Sequence, residues 1–299
     1  MQKLIFEGES ERIDTWLTKQ FSYSRNFFHH ILERKGILVN GKVAKKSLKL
    51  KSWDQILIDE LERYLSPIIL EEAPKLDIPI LKETADYLII NKPKWVLSHP
   101  NSIWDVWEPS VVGFLYHHYK ELPSIGSFIR AGLLHRLDKD TTGLIICAKD
   151  DETHLKLIDM FSKREISKKY LAICNGSFSK ESGFIDKPIG RDEKDRKKMS
   201  VKSKSGKEAL TEYNILTSNL KYSLVDVTLH TGRTHQIRVH FSSINHPIVG
   251  DDTYGNKNEK IKANGQMLHS YYLEFSHPIT KENLSFTVLP DEYFFSIFA

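Results

Sequence analysis

The 299-residue chain is 40% apolar and 27% charged, with a formal net charge of +4. That is an ordinary balance for a globular protein, and the length suggests about two domains. No apolar run approaches the roughly 18 residues needed to span a bilayer, which excludes a helical membrane protein as the expectation. The first nine residues turn acidic early and lack the apolar stretch of a secretory leader, so the expected compartment is the cytoplasm. Cys147 and Cys174 lie in separate apolar runs with no Cys-x-x-Cys pair, and reduced, buried thiols are expected.

Residues 1–62 form a small module of their own. A helical pattern begins at Arg12-Ile13-Asp14-Thr15-Trp16-Leu17. Ser22 or Ser24 is placed to cap a second helix that carries Phe27, Phe28, Ile31 and Leu32 at helical spacing. Ile37-Leu38-Val39 then runs into Asn40-Gly41, a tight-turn signal, and Val43 follows. Leu48, Leu50, Ile56 and Ile58 predict further strand. Between Arg34 and Lys51 the basic residues Arg34, Lys35, Lys42, Lys45, Lys46, Lys49 and Lys51 meet no acid. Such a cluster is either a solvated face or a phosphate-binding surface. Residues 63–75, with Pro67, Pro74 and Glu71-Glu72, read as a linker.

Residues 76–299 are long enough for one sizeable α+β domain. Apolar runs at 87–90, 144–148, 170–174, 224–229 and 285–289 predict strands, and 110–119 and 152–162 predict helices. There is no regular βαβ alternation and no glycine-rich phosphate loop after a strand, so a doubly wound nucleotide fold is not expected. A second basic cluster contains Arg191, Lys194, Arg196, Lys197, Lys198, Lys202 and Lys204, interrupted by Asp192, Glu193 and Asp195.

Three stretches of this second part carry chemistry. In His135-Arg136-Leu137-Asp138-Lys139-Asp140-Thr141-Thr142-Gly143 an acid sits in a turn-prone segment, with apolar strand-like runs at Leu133-Leu134 before it and 144–148 after it. Catalytic groups often occupy such loops over a rigid scaffold, though a turn Asp can equally cap a backbone amide. The stretch begins like a calcium loop, but its fifth position is Thr142 and its twelfth is Lys149, where a bidentate Glu is required. The second stretch, Thr231-Gly232-Arg233-Thr234-His235-Gln236-Ile237-Arg238-Val239-His240, invites a metal reading through His230, His235 and His240. A spacing of five separates these side chains on a strand and on a helix alike, and Arg233 and Arg238 would repel a cation. Arginines set near phosphates or a catalytic carboxylate fit better. The third, Lys168-Lys169-Tyr170-Leu171-Ala172, is by itself a strand start with a half-buried Tyr.

Together these stretches resemble the RluA family of RNA pseudouridine synthases. The resemblance runs in order through Ile89-Ile90-Asn91-Lys92-Pro93, His99-Pro100, the Asp138 loop, the Lys168 to Ala172 run and Pro188-Ile189-Gly190-Arg191. It continues through the Arg233 to His240 run, His246-Pro247-Ile248-Val249-Gly250-Asp251 and Leu268-His269. Trp95 stands where the early motif usually carries Gly, and Ala131 before Gly132 is a milder departure. The first module resembles the S-four-like RNA-binding domain through Arg12-Ile13-Asp14, Ser24-Arg25, Val39-Asn40-Gly41-Lys42 and Asp54-Gln55-Ile56. Its usual Gly before the final Asp-x-Ile is Trp53 here, and another is displaced to Gly36.

The resemblance implies an α+β catalytic domain with a mixed, largely antiparallel sheet, preceded by a small α/β RNA-binding domain. It implies isomerisation of uridine to pseudouridine within RNA, with no cofactor and no metal. Asp138 would be the essential carboxylate, acting on the anomeric carbon or as a base at the neighbouring ribose carbon. Arg238 would hold its charge, with Arg233 second. Tyr170 would stack on the target base and receive the proton from its carbon 5. His135, Arg136, Arg233, His235, Gln236 and Leu268 would line the substrate pocket, and Arg25, Lys42, Lys45 and Lys46 would contact RNA. Large-subunit ribosomal RNA is the expected substrate and transfer RNA the second, acted on by a monomer. The contrasting readings are a non-catalytic RNA-binding ribosome-assembly factor, and a hydrolase using Asp138 with His135, which no Ser or Cys nucleophile motif supports.

Overall fold

The computed structural model describes residues 2–21, 23, 25–61, 73–102, 105–123, 125, 127–256, 263 and 265–298. The chain divides into two compact units, Met1–Glu72 with Asn101–Asp105, and Ala73–Pro100 with Val106–Ala299. Most of the predicted linker, and both Ser22 and Ser24, lie outside the described residues.

In the first unit the order is β1 (Gln2–Ile5), α1 (Ile13–Gln20), α2 (Arg25–Glu33), β2 (Ile37–Val39), β3 (Lys42–Val43) and β4 (Gln55–Ile58). The strands form an antiparallel sheet in the order β1-β4-β2-β3. Phe27, Phe28, Ile31 and Leu32 of α2 are buried, as their spacing demands, against Ile13, Leu17, Ile37, Ile56 and Ile58. Val39 pairs with Lys42 across Asn40 and Gly41, both at positive φ (50° and 76°), which is the geometry a two-residue hairpin needs. Leu48 and Leu50 are not in a strand. The Leu48 amide closes a turn onto Lys45, and only Lys49 makes a bridge, to Arg12. Leu50 is nevertheless fully buried, so its apolar character serves the core and not a sheet.

The second unit contains β5 (Ile80–Glu83), β6 (Tyr87–Lys92), α3 (Val111–His118), β7 (Thr142–Ala148), α4 (Asp151–Ser162), β8 (Ser167–Asn175) and β9 (Ser182–Asp186). It continues with β10 (Gly190–Arg191), β11 (Met199–Ser200), β12 (Leu210–Ser218), β13 (Tyr222–Leu229), α5 (Gln236–Ser243), β14 (Leu268–Ser276), β15 (Asn283–Thr287) and α6 (Glu292–Phe295). Its main sheet runs β5-β6-β7-β14-β8-β13-β12-β9, with β15 added to β14, and only the β7–β14 pairing is parallel. β10 and β11 make a separate ribbon.

Both faces of this sheet are covered. Leu88 and Ile90 of β6, with Ile145 and Cys147 of β7, pack on the side of α3 and α5. Tyr87, Ile89, Leu144 and Ile146 point the other way, toward Leu157 and Met160 of α4. Successive side chains alternate across a strand, so a strand buried on both faces reads as a continuous apolar run. That is why 87–90 and 144–148 stand out in the sequence. Ser110 caps α3 through Gly113 N, and Asp150 caps α4 through Thr153 N.

Leu133-Leu134 is not a strand. Leu133 makes one isolated bridge to Cys147, directly after a 3-10 turn at Phe128–Arg130 and Gly132 at φ 72°. β15 ends at Thr287, with one further bond from the Val288 amide to the Tyr271 carbonyl (2.9 Å) before Pro290. Trp53 and Trp95, which replace expected glycines, keep the left-handed conformation with φ of 72° and 67°. The backbone geometry that favours Gly is therefore retained at a cost of about 1 kcal/mol each, and both indoles are largely exposed.

Candidate active site

Asp138 lies in the segment between the Leu133 bridge and β7, and that segment is fixed from several sides. Ser98 Oγ donates to the Leu137 carbonyl (2.7 Å) and accepts from the Leu137 amide (2.9 Å). Lys92, fully buried at the end of β6, donates from Nζ to the carbonyls of Pro93, Val96 and Lys139 at 2.8, 2.8 and 2.9 Å. Burial pulls this ammonium down to about 7, while Asp140 and Asp138 oppose the shift. Downstream, Gly143 has φ 110°, and a Cβ there would stand 2.2 Å from the Ser270 carbonyl, so only glycine lets β7 approach β14. Thr142 Oγ1 bonds His269 Nδ1 at 2.6 Å, and His269 Nε2 reaches the Val288 carbonyl at 3.0 Å. The second bond requires Nε2–H, so the threonine hydroxyl is the donor to Nδ1. Burial lowers His269 to about 4 and keeps it neutral in this bridging role.

The 231–240 stretch, open between strand and helix in the sequence, folds as a turn followed by α5. His235 precedes the helix in the left-handed conformation (φ 55°). Arg238, one turn in, donates from Nη1 to Asp138 Oδ2 at 2.8 Å. Its Nε and Nη2 grip Asp251 Oδ2 and Oδ1 at 2.7 and 2.9 Å. Burial works against the Arg238 charge, but Asp251 and Asp138 more than offset it and hold the guanidinium protonated. Asp251 is likewise opposed by burial, and Arg238 and the amides of Tyr254 and Thr253 hold it below the usual carboxylate range. The Arg238 guanidinium also lies over the Tyr254 ring, 5.2 Å from its centroid.

Asp138 Oδ1 faces His235 Nε2 at 3.9 Å, too far for a hydrogen bond. The Met199 amide donates to Tyr254 OH at 2.7 Å, and that hydroxyl lies 2.8 Å from His235 Nδ1. The chain of donors places the ring proton of His235 on Nε2, toward Asp138. Burial lowers His235, so the ring is neutral at pH 7.

Asp138 and Arg238 border a cavity of about 400 Å³ whose lining also includes His135, Arg136, Tyr170, Arg233, His235, Gln236 and Leu268. The size suits a small organic group such as a base with its sugar. Tyr170 on β8 pairs with Ser270 on β14, and Leu268 on β14 pairs with Ala172. Burial raises the Tyr170 phenol, a hydrogen bond with Ser270 pulls it back, and the Asp138 charge raises it further. The resting phenol is therefore protonated.

The remaining sequence-derived residues are placed as follows. His135 Nε2 accepts from the Ile146 amide at 3.1 Å, and burial and the nearby Lys168 charge lower the ring to about 3. Arg136 is exposed and donates to His99 Nε2 at 3.2 Å. Arg233 Nε donates to the Glu208 carbonyl at 2.9 Å. Gln236 is engaged at both ends of its amide: Oε1 accepts from Thr231 Oγ1 and Arg233 N, and Nε2 donates to Leu210 O and Thr211 Oγ1. In the first unit, Arg25 Nε pairs with the fully buried Asp14 at 2.8 Å, Lys46 pairs with Glu33, and Lys42 and Lys45 are exposed. Asp251 falls within a motif visible in the sequence, yet its role depends on Arg238, 13 residues away, and no local pattern encodes that contact. Tyr254 and Ser98 carry no sequence signal that marks them for the site.

No group of three or more His, Cys, Asp or Glu side chains able to hold a metal is present among the described residues. No helix among them is long and apolar enough to cross a membrane.

Solved structures set the class. The fold is similar to Human RNA Pseudouridylate Synthase Domain Containing 1 (TM-score 0.58, 26% identity, 72% of this chain and 84% of that one). It is also similar to Human RNA Pseudouridylate Synthase Domain Containing 4 (TM-score 0.56, 26% identity, 78% and 94%). Residues 86–243 match the RNA pseudouridylate synthase family. An uncharacterized RNA pseudouridine synthase of Aquifex aeolicus is 38% identical over 98% of this chain and 94% of its own length. The ribosomal large subunit pseudouridine synthase D of Borreliella burgdorferi is 39% identical over 88% and 81%. The chain belongs to the RNA pseudouridylate synthase family, and its catalytic unit is of the RluA type.

Proposed function

We propose that this enzyme converts uridine to pseudouridine in large-subunit ribosomal RNA, with Asp138 as the reacting carboxylate. The observation that carries the reading is the shared guanidinium of Arg238, which holds Asp138 Oδ2 at the cavity and is itself held by Asp251. The substrate follows from relatives named ribosomal large subunit pseudouridine synthase D at 34–39% identity over most of this chain. Transfer RNA is the competing substrate, and the protein acts as a cytoplasmic monomer.

The reaction breaks the bond between N1 and the anomeric carbon, turns the uracil, and joins carbon 5 to the ribose. Carbon 5 loses a proton and N1 gains one, so nothing is oxidised or hydrolysed. The target nucleotide must leave its stack to enter the cavity, at a cost of a few kcal/mol. Asp138 Oδ1, which no described residue hydrogen-bonds, is the oxygen that acts on the ribose. Attack at the anomeric carbon and proton abstraction at its neighbour both use this oxygen. His135, Arg136, Arg233, His235, Gln236 and Leu268 shape the pocket around the base and its flanks. Tyr170 stacks on the base and is the candidate acceptor of the carbon 5 proton. Because the resting phenol is protonated, that role requires it to pass one proton on as it receives another.

Replacing Tyr170 by Phe keeps the ring and removes the oxygen. Turnover should fall by roughly 10²-fold or more while RNA affinity holds, the usual weight of a positioned proton acceptor. Single-turnover kinetics at saturating enzyme check this, and an unchanged rate would remove Tyr170 from proton transfer.

The first unit serves as an S-four-like RNA-binding domain, with Arg25, Lys42, Lys45 and Lys46 on phosphates. Deleting residues 1–62 should weaken RNA binding and flatten its dependence on salt, since each lost phosphate contact removes about 0.7–0.9 from the logarithmic slope. Filter binding between 50 and 200 mM salt measures this; an unaltered slope would assign the unit another partner. The substrate itself is tested by mapping pseudouridines in ribosomal and transfer RNA from cells that carry either wild-type protein or the Asp138→Asn variant. Sites lost from large-subunit RNA support the reading, and sites lost only from transfer RNA overturn it.

A further inference from the structure

A second cavity of about 450 Å³ adjoins the first and shares Phe161, Ser162, Lys168, Leu229, Gly232 and Arg233 with it. Its remaining lining includes Arg164, Glu165, Thr228 and His230. The cationic groups of the two cavities are partnered, with one exception. Arg238 holds Asp138 and Asp251, Arg136 meets His99, Arg164 meets Glu208 at 3.1 Å, Arg233 meets the Glu208 carbonyl, and His230 meets Glu212 at 2.8 Å. The Lys168 ammonium makes no hydrogen bond and no ion pair with any described residue. Its Nζ lies 4.9 Å from the centre of the Phe161 ring, and a Cβ on Gly232 would come no nearer to it than 4.0 Å.

Lys168 is half-buried, and a cation drawn partly out of water without an anion is costly unless an anion arrives from outside. Burial pulls the Lys168 ammonium down to about 8, and no carboxylate offsets that effect. Lys168 stands two residues before Tyr170 on β8, on the same side of the strand, and both line the first cavity. The nucleotide that enters this cavity carries a phosphodiester on each side, and the wall common to both cavities offers one of them a path.

We propose that Lys168 is the binding site for a phosphodiester flanking the target uridine, and that the second cavity takes the neighbouring nucleotide. Arg233, which lines both cavities, has further N–H groups for the same phosphate. Phe161, already under the ammonium, gives the adjacent base an aromatic surface. The proposal rests on the reading of the Asp138 cavity as the uridine site.

The test is a cycle between Lys168→Gln and RNA substrates in which each phosphodiester flanking the target uridine is replaced, one at a time, by a neutral methylphosphonate. Lys168→Gln should lower kcat/KM on ordinary RNA about tenfold and reduce the logarithmic salt slope of binding by about 0.7, the share of one phosphate on a single strand. One of the neutral linkages should cost wild type a similar factor and cost Lys168→Gln nothing further. Lys168→Arg, which keeps the charge, should recover most of the loss and also serves as a control for folding. If every neutral linkage affects wild type and Lys168→Gln alike, and the salt slope is unchanged, the phosphate assignment is wrong. If wild type forms no pseudouridine on any RNA, it is the reading of the Asp138 cavity that fails instead.

Discussion

Asp138→Asn should abolish pseudouridine formation, with a loss of at least about 10³-fold, while leaving RNA affinity near wild type. The substitution keeps the shape of the side chain and removes only the charge and one acceptor. The amide oxygen of Asn would still accept from Arg238 in place of Oδ2, and Asp251 would still neutralise the guanidinium through its two bonds. Folding therefore survives, and the loss falls on the chemical step. Turnover is measured at saturating enzyme and affinity by filter binding. A variant with wild-type turnover would show that Asp138 is not the reacting group. A variant that loses RNA binding in parallel would place it in recognition instead.

Arg238→Ala should affect both stability and activity. Removing the guanidinium leaves Asp251 buried with its main partner gone, and breaking a buried pair in this way costs about 3–5 kcal/mol. Two backbone amides still reach Asp251, which favours the lower part of that range. The Asp138 carboxylate loses the one hydrogen bond it receives from a described residue, and with it the contact that fixes Oδ2 at the cavity wall. Denaturant unfolding should show the destabilisation, and turnover should fall even under conditions where the variant is fully folded. Arg238→Lys cannot hold Asp251 with two bonds and reach Asp138 as well, so it should recover little of the activity. Loss of under 1 kcal/mol in Arg238→Ala, or full activity in Arg238→Lys, would contradict the shared-guanidinium arrangement.

What the sequence made legible was local. The Asp138 loop is readable because a polar, turn-prone stretch directly before a continuous apolar strand marks the edge of a rigid sheet. The Asn40-Gly41 hairpin is readable because two successive positive φ angles demand such residues. Strands buried on both faces stand out as the apolar runs 87–90 and 144–148. Other features depend on contacts far apart in the chain. Asp251 ends a motif visible in the sequence, but its role appears only when α5 brings Arg238 against it. Lys92 stands in a motif whose spacing gives no sign of its contacts, yet it is fully buried and joins the end of β6 to the loop beyond Asp138 through the Lys139 carbonyl, 47 residues away. Leu133-Leu134 and Leu48 with Leu50 mislead in the opposite sense, since apolar pairs at strand spacing also serve bridges and turns that pack on a core. Trp53 and Trp95 hide their backbone geometry, because a left-handed conformation is inferred from glycine and seldom from tryptophan.

The most direct measurement of the central assignment is tritium release from RNA labelled at carbon 5 of uridine, since joining carbon 5 to the ribose expels that hydrogen. Purified wild-type protein on large-subunit ribosomal RNA should release tritium, and Asp138→Asn, bound to the same RNA with equal affinity, should release none. Release at the same rate from both proteins would contradict the assignment of Asp138 as the reacting carboxylate.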